Sequence, residues 1–471
     1  MKPELQFESE ASVEIAGLMS RARAAQAAIA DYTQEQVDEL IRGMVWATSR
    51  PGIAEKIARQ TIEETQLGNY DAKYTKIAKK TRATLADIIH DKSVGVIEID
   101  EERNIIKIAK PMGVVGALST STHPEATPVI KAIQSVKGRN AIIIAPHPRA
   151  KHTNTMVCDL MREALVKLGA PADLVIPIEY PSLETTQELM RQCDVIHATG
   201  GKPMVSAAYS SGTPALGVGV GNAVITVDDT ADLQDAAEKI LISKTFDEGT
   251  SCSSDNAVVG FASIYDELLE KLQAQGGYLV GSQDYAKLAA AMWQDGLLNR
   301  DIVAQSAPRI GELAGIDVPA DARFIIVPED GVGPDHPFSG EKLSVVMALY
   351  KVDDLDGAIA LTNRIQEYQG LGHSCGLYTT SEDNILSFGT NTKTSRVMIN
   401  QPQAVSNSGA LWNGMRQTFS LGCGSWGGNS TNDNINWKNL VNITWISKPL
   451  AVAKTLPDEA ELFGDVIDKL G

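Results

Sequence analysis

Cysteine, basic charge and long apolar runs are all scarce in this chain of 471 residues. Its few cysteines form no Cys-x-x-Cys pair, which gives no sign of a zinc ribbon or a disulfide framework. Acidic residues outnumber basic ones by 59 to 42, and the net charge of −17 disfavours nucleic acid and anionic lipid as partners. Apolar runs such as Ala141 to Pro146 fall far short of the roughly 18 residues of a membrane-spanning helix. The first eight residues lack the basic and apolar segments of a signal peptide, so export is not expected. Together with the cysteine pattern, this predicts a cytoplasmic protein, and the sequence predicts no metal site.

What is present is the pattern of a large α/β protein, with 43% apolar residues and enough length for two or three domains. A helical block from Ala11 to about Ile89 precedes a predicted hairpin around residues 94–109. From 113 to 228, and again from 233 to 400, short aliphatic runs alternate with amphipathic stretches, which predicts parallel sheets covered by helices. A lone predicted strand at 440–446 needs a partner elsewhere in the chain or on another subunit.

Among the cysteines, Cys252 stands in the most polar segment, Phe246-Asp247-Glu248-Gly249-Thr250-Ser251-Cys252-Ser253-Ser254. A thiol on such a loop is a candidate nucleophile, and nearby backbone N–H groups would lower its pKa. The alternative is an inert cysteine in a half-buried turn. Cys423 lies in a glycine-flanked loop, and its sequence context does not distinguish a structural from a functional role. The other three cysteines lie in apolar contexts and are expected to be structural, namely Cys158, Cys193 and Cys375.

Two further segments follow predicted strands at the edge where α/β sheets bind nucleotides. Ala198-Thr199-Gly200-Gly201 joins a strand to a helix and offers backbone N–H groups to a phosphate. It lacks the full three-glycine dinucleotide fingerprint, and for this segment on its own a plain tight turn is the better explanation. Pro146-His147-Pro148-Arg149-Ala150-Lys151 places three potentially cationic side chains after strand 141–145, with a solvated basic loop as the alternative.

Taken in order, these segments resemble the CoA-acylating branch of the aldehyde dehydrogenase superfamily, from about residue 22 to 446. The further segments that carry the resemblance are Lys137-Gly138-Arg139-Asn140, Gly217-Val218-Gly219-Val220-Gly221-Asn222, Glu341-Lys342-Leu343-Ser344 and Leu421-Gly422-Cys423-Gly424-Ser425-Trp426-Gly427. The resemblance implies two parallel-sheet α/β lobes and a small β bridging arm. It divides the chain into a cofactor-binding domain at 1–229, a catalytic domain at 230–425, and a loop, oligomerisation strand and tail at 426–471. It also implies a homodimer or homotetramer.

In this branch a cysteine thiolate attacks the aldehyde, loses a hydride to NAD or NADP, and passes the resulting acyl group to coenzyme A. The resemblance gives the nucleophile's role to Cys252. Hydrolytic relatives carry a water-activating Glu on the segment that matches 217–222, but no Asp or Glu occurs from Val195 to Val227. Because a general base is worth about 10²–10⁴-fold in rate, we expect acyl-CoA and not free acid as the product.

The resemblance places Glu341 at the ribose beside the nicotinamide and Arg149, with His147, near the adenine ribose, where a cation also accepts NADP. It places four residues at the cofactor pyrophosphate and nearby: Thr199, Gly200, Gly201 and Gly219. His123 stands where relatives hold the oxyanion with Asn, and an imidazole N–H is able to donate there.

The prediction of the substrate's tail rests on Arg416, which precedes the loop 421–427. The resemblance implies that relatives carry neutral residues at this position. Together with His123, this cation predicts a small anionic aldehyde. Sulfoacetaldehyde comes first, then succinate semialdehyde, then uncharged acetaldehyde. The alternative is that Arg416 forms a structural ion pair facing away from the pocket. A catalytically silent scaffold of the same fold is the non-enzyme alternative, against which Cys252 argues.

Overall fold

A computed structural model describes residues 9–470 of the chain. Many helices begin at side-chain caps that the sequence supplies, and the capping boxes at Ser9, Thr33 and Ser182 are examples. The α-helices are α1 Glu10–Ala28, α2 Gln34–Ser49, α3 Ile53–Thr65, α4 Tyr70–Thr75, α5 Thr81–Ile88, α6 Thr127–Lys137, α7 Lys151–Lys167, α8 Leu183–Gln192, α9 Lys202–Ser210, α10 Leu233–Thr245, α11 Tyr265–Ala274, α12 Ser282–Met292, α13 Ala307–Ala314, α14 Leu355–Tyr368, α15 Glu382–Asn391, α16 Gln403–Ser406, α17 Glu459–Phe463 and α18 Val466–Leu470. A π-helical turn, Lys76–Lys80, joins α4 to α5.

The strands are β1 Gly95–Asp100, β2 Ile105–Pro111, β3 Val114–Ser119, β4 Ala141–Pro146, β5 Val175–Pro177, β6 Val195–Thr199, β7 Ala215–Val218, β8 Ala223–Val227, β9 Asp255–Phe261, β10 Gly277–Leu279, β11 Trp293–Gln294, β12 Leu297–Leu298, β13 Phe324–Pro328, β14 Val346–Val352, β15 Cys375–Tyr378, β16 Val397–Ile399 and β17 Val441–Ser447. The runs that the sequence marks as strands therefore form strands, with ends that differ by a few residues. The aliphatic runs are buried on both sides, as in a helix-covered parallel sheet, and every residue of β3, β4 and β8 is buried.

Two parallel sheets form the body of the molecule. The first has the order β5-β4-β3-β6-β7, and the second has the order β10-β13-β14-β9-β8-β15-β16. Each sheet has its own apolar core, because helices cover both of its faces and bury its aliphatic side chains. The predicted α/β fold with two parallel-sheet lobes is confirmed.

The small antiparallel sheet β1-β2-β17 is the third part of the fold. Strand β17 pairs with β2 along its whole length, from Val441 opposite Pro111 to Ser447 opposite Ile105. The lone carboxyl-terminal strand therefore has a partner within the chain. Leu440 and Val441 also pack into the core of the first lobe.

One predicted boundary is wrong. The division at residue 229 assigns β8 to the first lobe, but β8 pairs with β9 and β15 in the second sheet. The run 223–227 is a buried aliphatic strand like its neighbours, and nothing in its composition tells which sheet it joins. In a separate finding, no helix within residues 9–470 is both long and apolar enough to cross a bilayer.

Candidate active site

A pocket lies between the two lobes, where the segments that follow β3, β6 and β7 face the loop ahead of β9. The ends of parallel strands carry free backbone groups and loops, which is why α/β folds place their ligands there. Cys252 lines this pocket and is half-buried. The sequence-predicted residues that line it with Cys252 are His123, Thr199, Gly200, Gly201, Gly219 and Glu341.

The loop of Cys252 is held against the glycine-rich segment that follows β7. A Cβ atom at Gly221 would lie 1.9 Å from the carbonyl oxygen of Cys252, so a side chain at 221 would displace the cysteine. The absence of a side chain thus lets the two segments touch. The same close approach leaves no room at position 221 for a carboxylate.

The environment of Cys252 raises the pKa of its thiol to about 12, because burial and the nearby Glu341 both disfavour the thiolate. The expectation that backbone N–H groups lower this pKa is therefore wrong. Burial outweighs the hydrogen bond with Ser253, which lowers the pKa, so Cys252 is a thiol and not a thiolate at neutral pH.

His373 is the partner of this thiol that sequence reasoning missed. Its Nε2 atom lies 3.2 Å from Sγ of Cys252, and its Nδ1 atom lies 2.9 Å from the hydroxyl of Ser374. Burial and the neighbouring Arg396 lower the pKa of His373 to about 3, so the imidazole is neutral and one ring nitrogen is free to accept a proton. The available signal was a histidine in a glycine-flanked turn, Gly370-Leu371-Gly372-His373, in a chain with only seven histidines.

Arg396 fixes the backbone around His373. Its guanidinium donates to the carbonyl oxygen of His373 at 2.9 Å and to that of Gly422 at 2.8 Å. Arg396 lies immediately ahead of β16, and its two hydrogen bonds join this segment and the loop 421–427 to the backbone of His373. This contact gives the glycine-rich loop of the sequence analysis a structural role at the site.

His123 also lines the pocket, and its ring packs against Phe419 at 5.3 Å between centroids. The Nζ atom of Lys76 lies 2.8 Å from Nδ1 of His123. Burial, with the charges of Lys76 and Lys73, holds the pKa of His123 well below its usual range. Because an ammonium group donates and does not accept, the ammonium form of Lys76 requires that a neutral His123 carry its proton on Nε2.

The cofactor side of the pocket suits a pyrophosphate. Thr199 ends β6, and Gly200 and Gly201 lead into α9, whose first turn has no side-chain cap. Its backbone N–H groups are therefore open to an anion at a helix N-terminus, and glycine leaves space for close approach. Gly219 adds to this space, because nothing lies within 4 Å of a Cβ built there.

Glu341 also lines the pocket and is half-buried. Burial raises the pKa of its carboxyl to about 8, against a backbone hydrogen bond from Gly221 that opposes the shift. Among the described residues it is the one carboxyl group that lines the pocket. At neutral pH it is mostly protonated.

His147 and Arg149 follow β4, as predicted, but do not line this pocket. The backbone N–H of Arg149 donates to Nδ1 of His147 at 3.1 Å, and the guanidinium donates to the carbonyl oxygen of Thr65 at 3.4 Å. Both residues are exposed at the carboxyl edge of the first sheet.

Arg416 does not line the pocket either. Its guanidinium lies 3.3 Å from a carboxylate oxygen of Asp87 and 3.1 Å from one of Asp91. It also donates to the carbonyl oxygen of Asp87 at 2.8 Å. This arrangement is the structural ion pair that the sequence left as the alternative, and the placement of Arg416 in the substrate pocket is corrected.

The other cysteines lie outside the pocket lining. Cys423 is buried, and its thiol donates to the carbonyl oxygen of Leu421 at 3.6 Å. Cys158, Cys193 and Cys375 are buried as well, as expected of structural residues. The side chains of Glu329, Asp330 and His336 lie close enough together to hold a metal ion, but they line none of this pocket.

Comparison with known proteins places this geometry in context. The family model described as aldehyde dehydrogenase family matches residues 5–287. The chain is 44% identical over 458 residues to a sulfoacetaldehyde dehydrogenase of an Acholeplasma species, covering 96% of this chain and 94% of that protein. It is 42% identical over 460 residues to a sulfoacetaldehyde dehydrogenase (acylating) of Bilophila wadsworthia, covering 96% and 98%. An acetylating aldehyde dehydrogenase from Geobacillus thermoglucosidasius has a similar structure, with a TM-score of 0.91 at 34% identity and coverage of 96% and 99%.

Proposed function

This chain belongs to the aldehyde dehydrogenase family, and we propose that it oxidises sulfoacetaldehyde to sulfoacetyl-CoA through a thioester on Cys252. It is an acylating enzyme that uses NAD or NADP and takes coenzyme A as co-substrate. The proposed substrate rests on sequence identities of 44% and 42%, each over 96% of this chain, to two proteins named as sulfoacetaldehyde dehydrogenases.

The first half-reaction uses Cys252 and His373. As Sγ bonds to the aldehyde carbon, Nε2 of His373 takes the thiol proton from 3.2 Å away. The carbonyl electrons move to oxygen and give a thiohemiacetal oxyanion. Nicotinamide, when bound, supplies the acceptor for the hydride that leaves this carbon. Cys252 is left as a thioester, and His373 releases its proton.

The oxyanion of this half-reaction lies opposite His123 in the proposal. Because the ammonium group of Lys76 donates to Nδ1, the N–H of His123 is at Nε2. In the proposal this N–H donates to the oxyanion in the pocket that His123 lines. The low pKa of His123 keeps the ring neutral, so this donor does not titrate in the physiological range.

The second half-reaction transfers the acyl group between two sulfur atoms. The CoA thiol attacks the thioester carbon, its proton passes to His373, and the departing Cys252 sulfur takes that proton back. Water competes poorly, because the segment 195–227 carries no carboxylate and Glu341 is largely protonated near pH 7.

A second group of residues that line the pocket would bind the cofactor. Thr199, Gly200 and Gly201 would hold the pyrophosphate at the N-terminus of α9, with Gly219 beside them, and Glu341 would bind the ribose next to the nicotinamide. Arg149 and His147 lie further out, at the end of β4, and Arg149 is the cation that would pair with the 2′-phosphate of NADP.

The protein acts as a homodimer or homotetramer in the cytoplasm. In support, the sheet β1-β2-β17 leaves large apolar side chains in solvent: Ile99 is 62% exposed, Trp445 59% and Ile446 40%. A second copy covers such an edge by strand pairing and apolar contact. The five free cysteines suit a reducing compartment.

The test is a single assay of nicotinamide reduction with sulfoacetaldehyde, succinate semialdehyde and acetaldehyde, each with and without CoA. We expect rates in that order, strict dependence on CoA and an acyl-CoA product identified by mass. Acid formed as fast without CoA would contradict the proposal. A wild-type protein that reduces neither cofactor, while Cys252→Ser behaves identically, would favour the scaffold alternative.

A further inference from the structure

The pocket also contains the amino group of a lysine, Lys76, which has no part in the reaction proposed above beyond its contact with His123. Among residues 9–470, Lys76 is the one lysine or arginine that lines the pocket with Cys252. The residue is only 2% exposed. A lysine is almost never this deeply buried unless something compensates its charge.

The position of Lys76 comes from an irregularity in the helix. The turn Lys76–Lys80 is π-helical, between α4 and α5. Such a turn shifts the side chains that follow relative to a regular helix, and π turns are frequent at functional sites. Lys73, one turn earlier on α4, is fully buried but does not line the pocket.

The charges around Lys76 do not balance within the protein. Lys73 donates to Asp247 at 2.7 Å, and Lys76 binds the same carboxylate oxygen, so two ammonium groups share one carboxylate. A second carboxyl, that of Glu125, lies 3.6 Å from Lys76. Neither of its oxygens has a hydrogen-bond partner within the described residues, and burial raises its pKa. Burial also lowers the pKa of Lys76, so its ammonium form is short of anions at the pocket wall, and an anionic ligand there would stabilise it.

Lys76 also has a donor to spare. An ammonium group carries three N–H bonds. The hydrogen bonds of Nζ go to Asp247 and to Nδ1 of His123. Phe246 and Phe419, which line the pocket beside these residues, make the surroundings apolar and strengthen an ionic contact there.

We propose that Lys76 binds the negatively charged tail of the aldehyde and thereby selects small anionic substrates. This inference rests on the proposed function, since it takes the carbonyl to lie between Cys252 and His123. Lys76 adjoins the far side of the His123 ring, and in sulfoacetaldehyde a single methylene separates the sulfonate from the carbonyl. Two ammonium groups share the single carboxylate of Asp247, and a sulfonate would supply a second anion beside Lys76. It would accept a hydrogen bond from the third N–H of Lys76.

The experiment compares the ratio of kcat/KM for sulfoacetaldehyde to kcat/KM for propionaldehyde in one preparation of each protein, so that the fraction of active enzyme cancels. We expect Lys76→Met to lower this ratio by about 10- to 100-fold, the worth of a hydrogen bond to a charged group. Lys73→Met is the matched control, because it removes an equally buried partner of Asp247 from outside the pocket. It leaves Asp247 to Lys76 alone but keeps the N–H donor of Lys76, so its ratio should fall by much less than that of Lys76→Met.

A ratio that is unchanged in Lys76→Met, with equal losses on both aldehydes, would overturn the inference and leave Lys76 acting through His123 alone. An equal fall in Lys73→Met would overturn it too, since the effect would then be that of the whole cluster. Ethanesulfonate with wild-type protein gives a measurement that needs no variant: it should compete with propionaldehyde, and failure to compete would also overturn the inference. A wild type that prefers uncharged aldehydes contradicts the proposed substrate instead, so the two failures are distinguishable.

Discussion

The Nε2 atom of His373 lies 3.2 Å from the Sγ atom of Cys252, although 121 residues separate them along the chain. The thiol has a raised pKa of about 12, and the imidazole has a lowered pKa of about 3. Both groups are therefore neutral at rest. Proton transfer between them occurs during the reaction and does not precede it, which keeps the cysteine unreactive until a substrate arrives.

His373→Ala should lower kcat/KM for the aldehyde by about 10²–10⁴-fold, the usual worth of a general base. The reason is that neither the Cys252 thiol nor the CoA thiol would have a nearby proton acceptor. Steady-state kinetics with saturating CoA measure this loss. His336→Ala is the matched control, since that histidine lies outside the pocket. Full activity in His373→Ala would remove the proposed role.

Alkylation of Cys252 by iodoacetamide should accelerate about tenfold per pH unit from pH 7 to 9, without a plateau. The thiolate is the reactive form, and a pKa of about 12 leaves its fraction rising throughout this range. Mass spectrometry of the modified peptide follows the rate, and Cys252→Ser gives the background. A plateau below pH 8 in the ligand-free protein would mean that the thiol is already activated.

Acid formation without CoA should increase as the pH rises through about 8. Glu341 is neutral below its raised pKa and becomes a carboxylate above it, so a base able to activate water appears only at alkaline pH. The measurement is the rate of free sulfoacetate release against pH. Glu341→Gln should abolish the increase, and a CoA-independent rate that is flat with pH would contradict this role.

Arg416→Ala should reduce activity on charged and uncharged aldehydes by the same factor. The guanidinium is bound to Asp87 and Asp91 and its side chain is 32% exposed, so its loss affects the packing of the loop and not substrate choice. The same pair of aldehydes used for Lys76 measures this. A selective loss on sulfoacetaldehyde would restore Arg416 to the substrate site.

Asp247→Asn should destabilise the protein by about 3–5 kcal/mol, because two buried ammonium groups would lose the carboxylate that they share. Burial opposes the charge of Asp247, but Lys76 and Lys73 lower its pKa to about 2. Its contribution is therefore present at neutral pH and is lost only as the pH falls toward that value. Urea unfolding measures the loss. Asp235→Asn, which removes a partly exposed ion pair with Lys239, is the control and should cost under about 1 kcal/mol.

Much of the fold follows from local pattern. Strands such as β4 and β8 are unbroken aliphatic runs, and helices such as α8 begin at a serine cap, so each was predictable within a few residues. Partners between distant strands were not. Strand β8 pairs in the second sheet and β17 pairs with β2. Other strands of the chain have similar sequences, so the sequence of a strand does not tell which partner it takes.

The candidate site divides in the same way. The sequence predicts the polar, glycine-rich loops that carry Cys252, Thr199 and Gly201, because small residues and turns are local properties. It could not determine that His373 reaches Cys252, that Lys76 and not Arg416 faces the pocket, or that burial makes the thiol a weak acid. The distance between two remote side chains and the burial of each depend on how the whole chain packs, so they follow from the folded structure and not from local sequence.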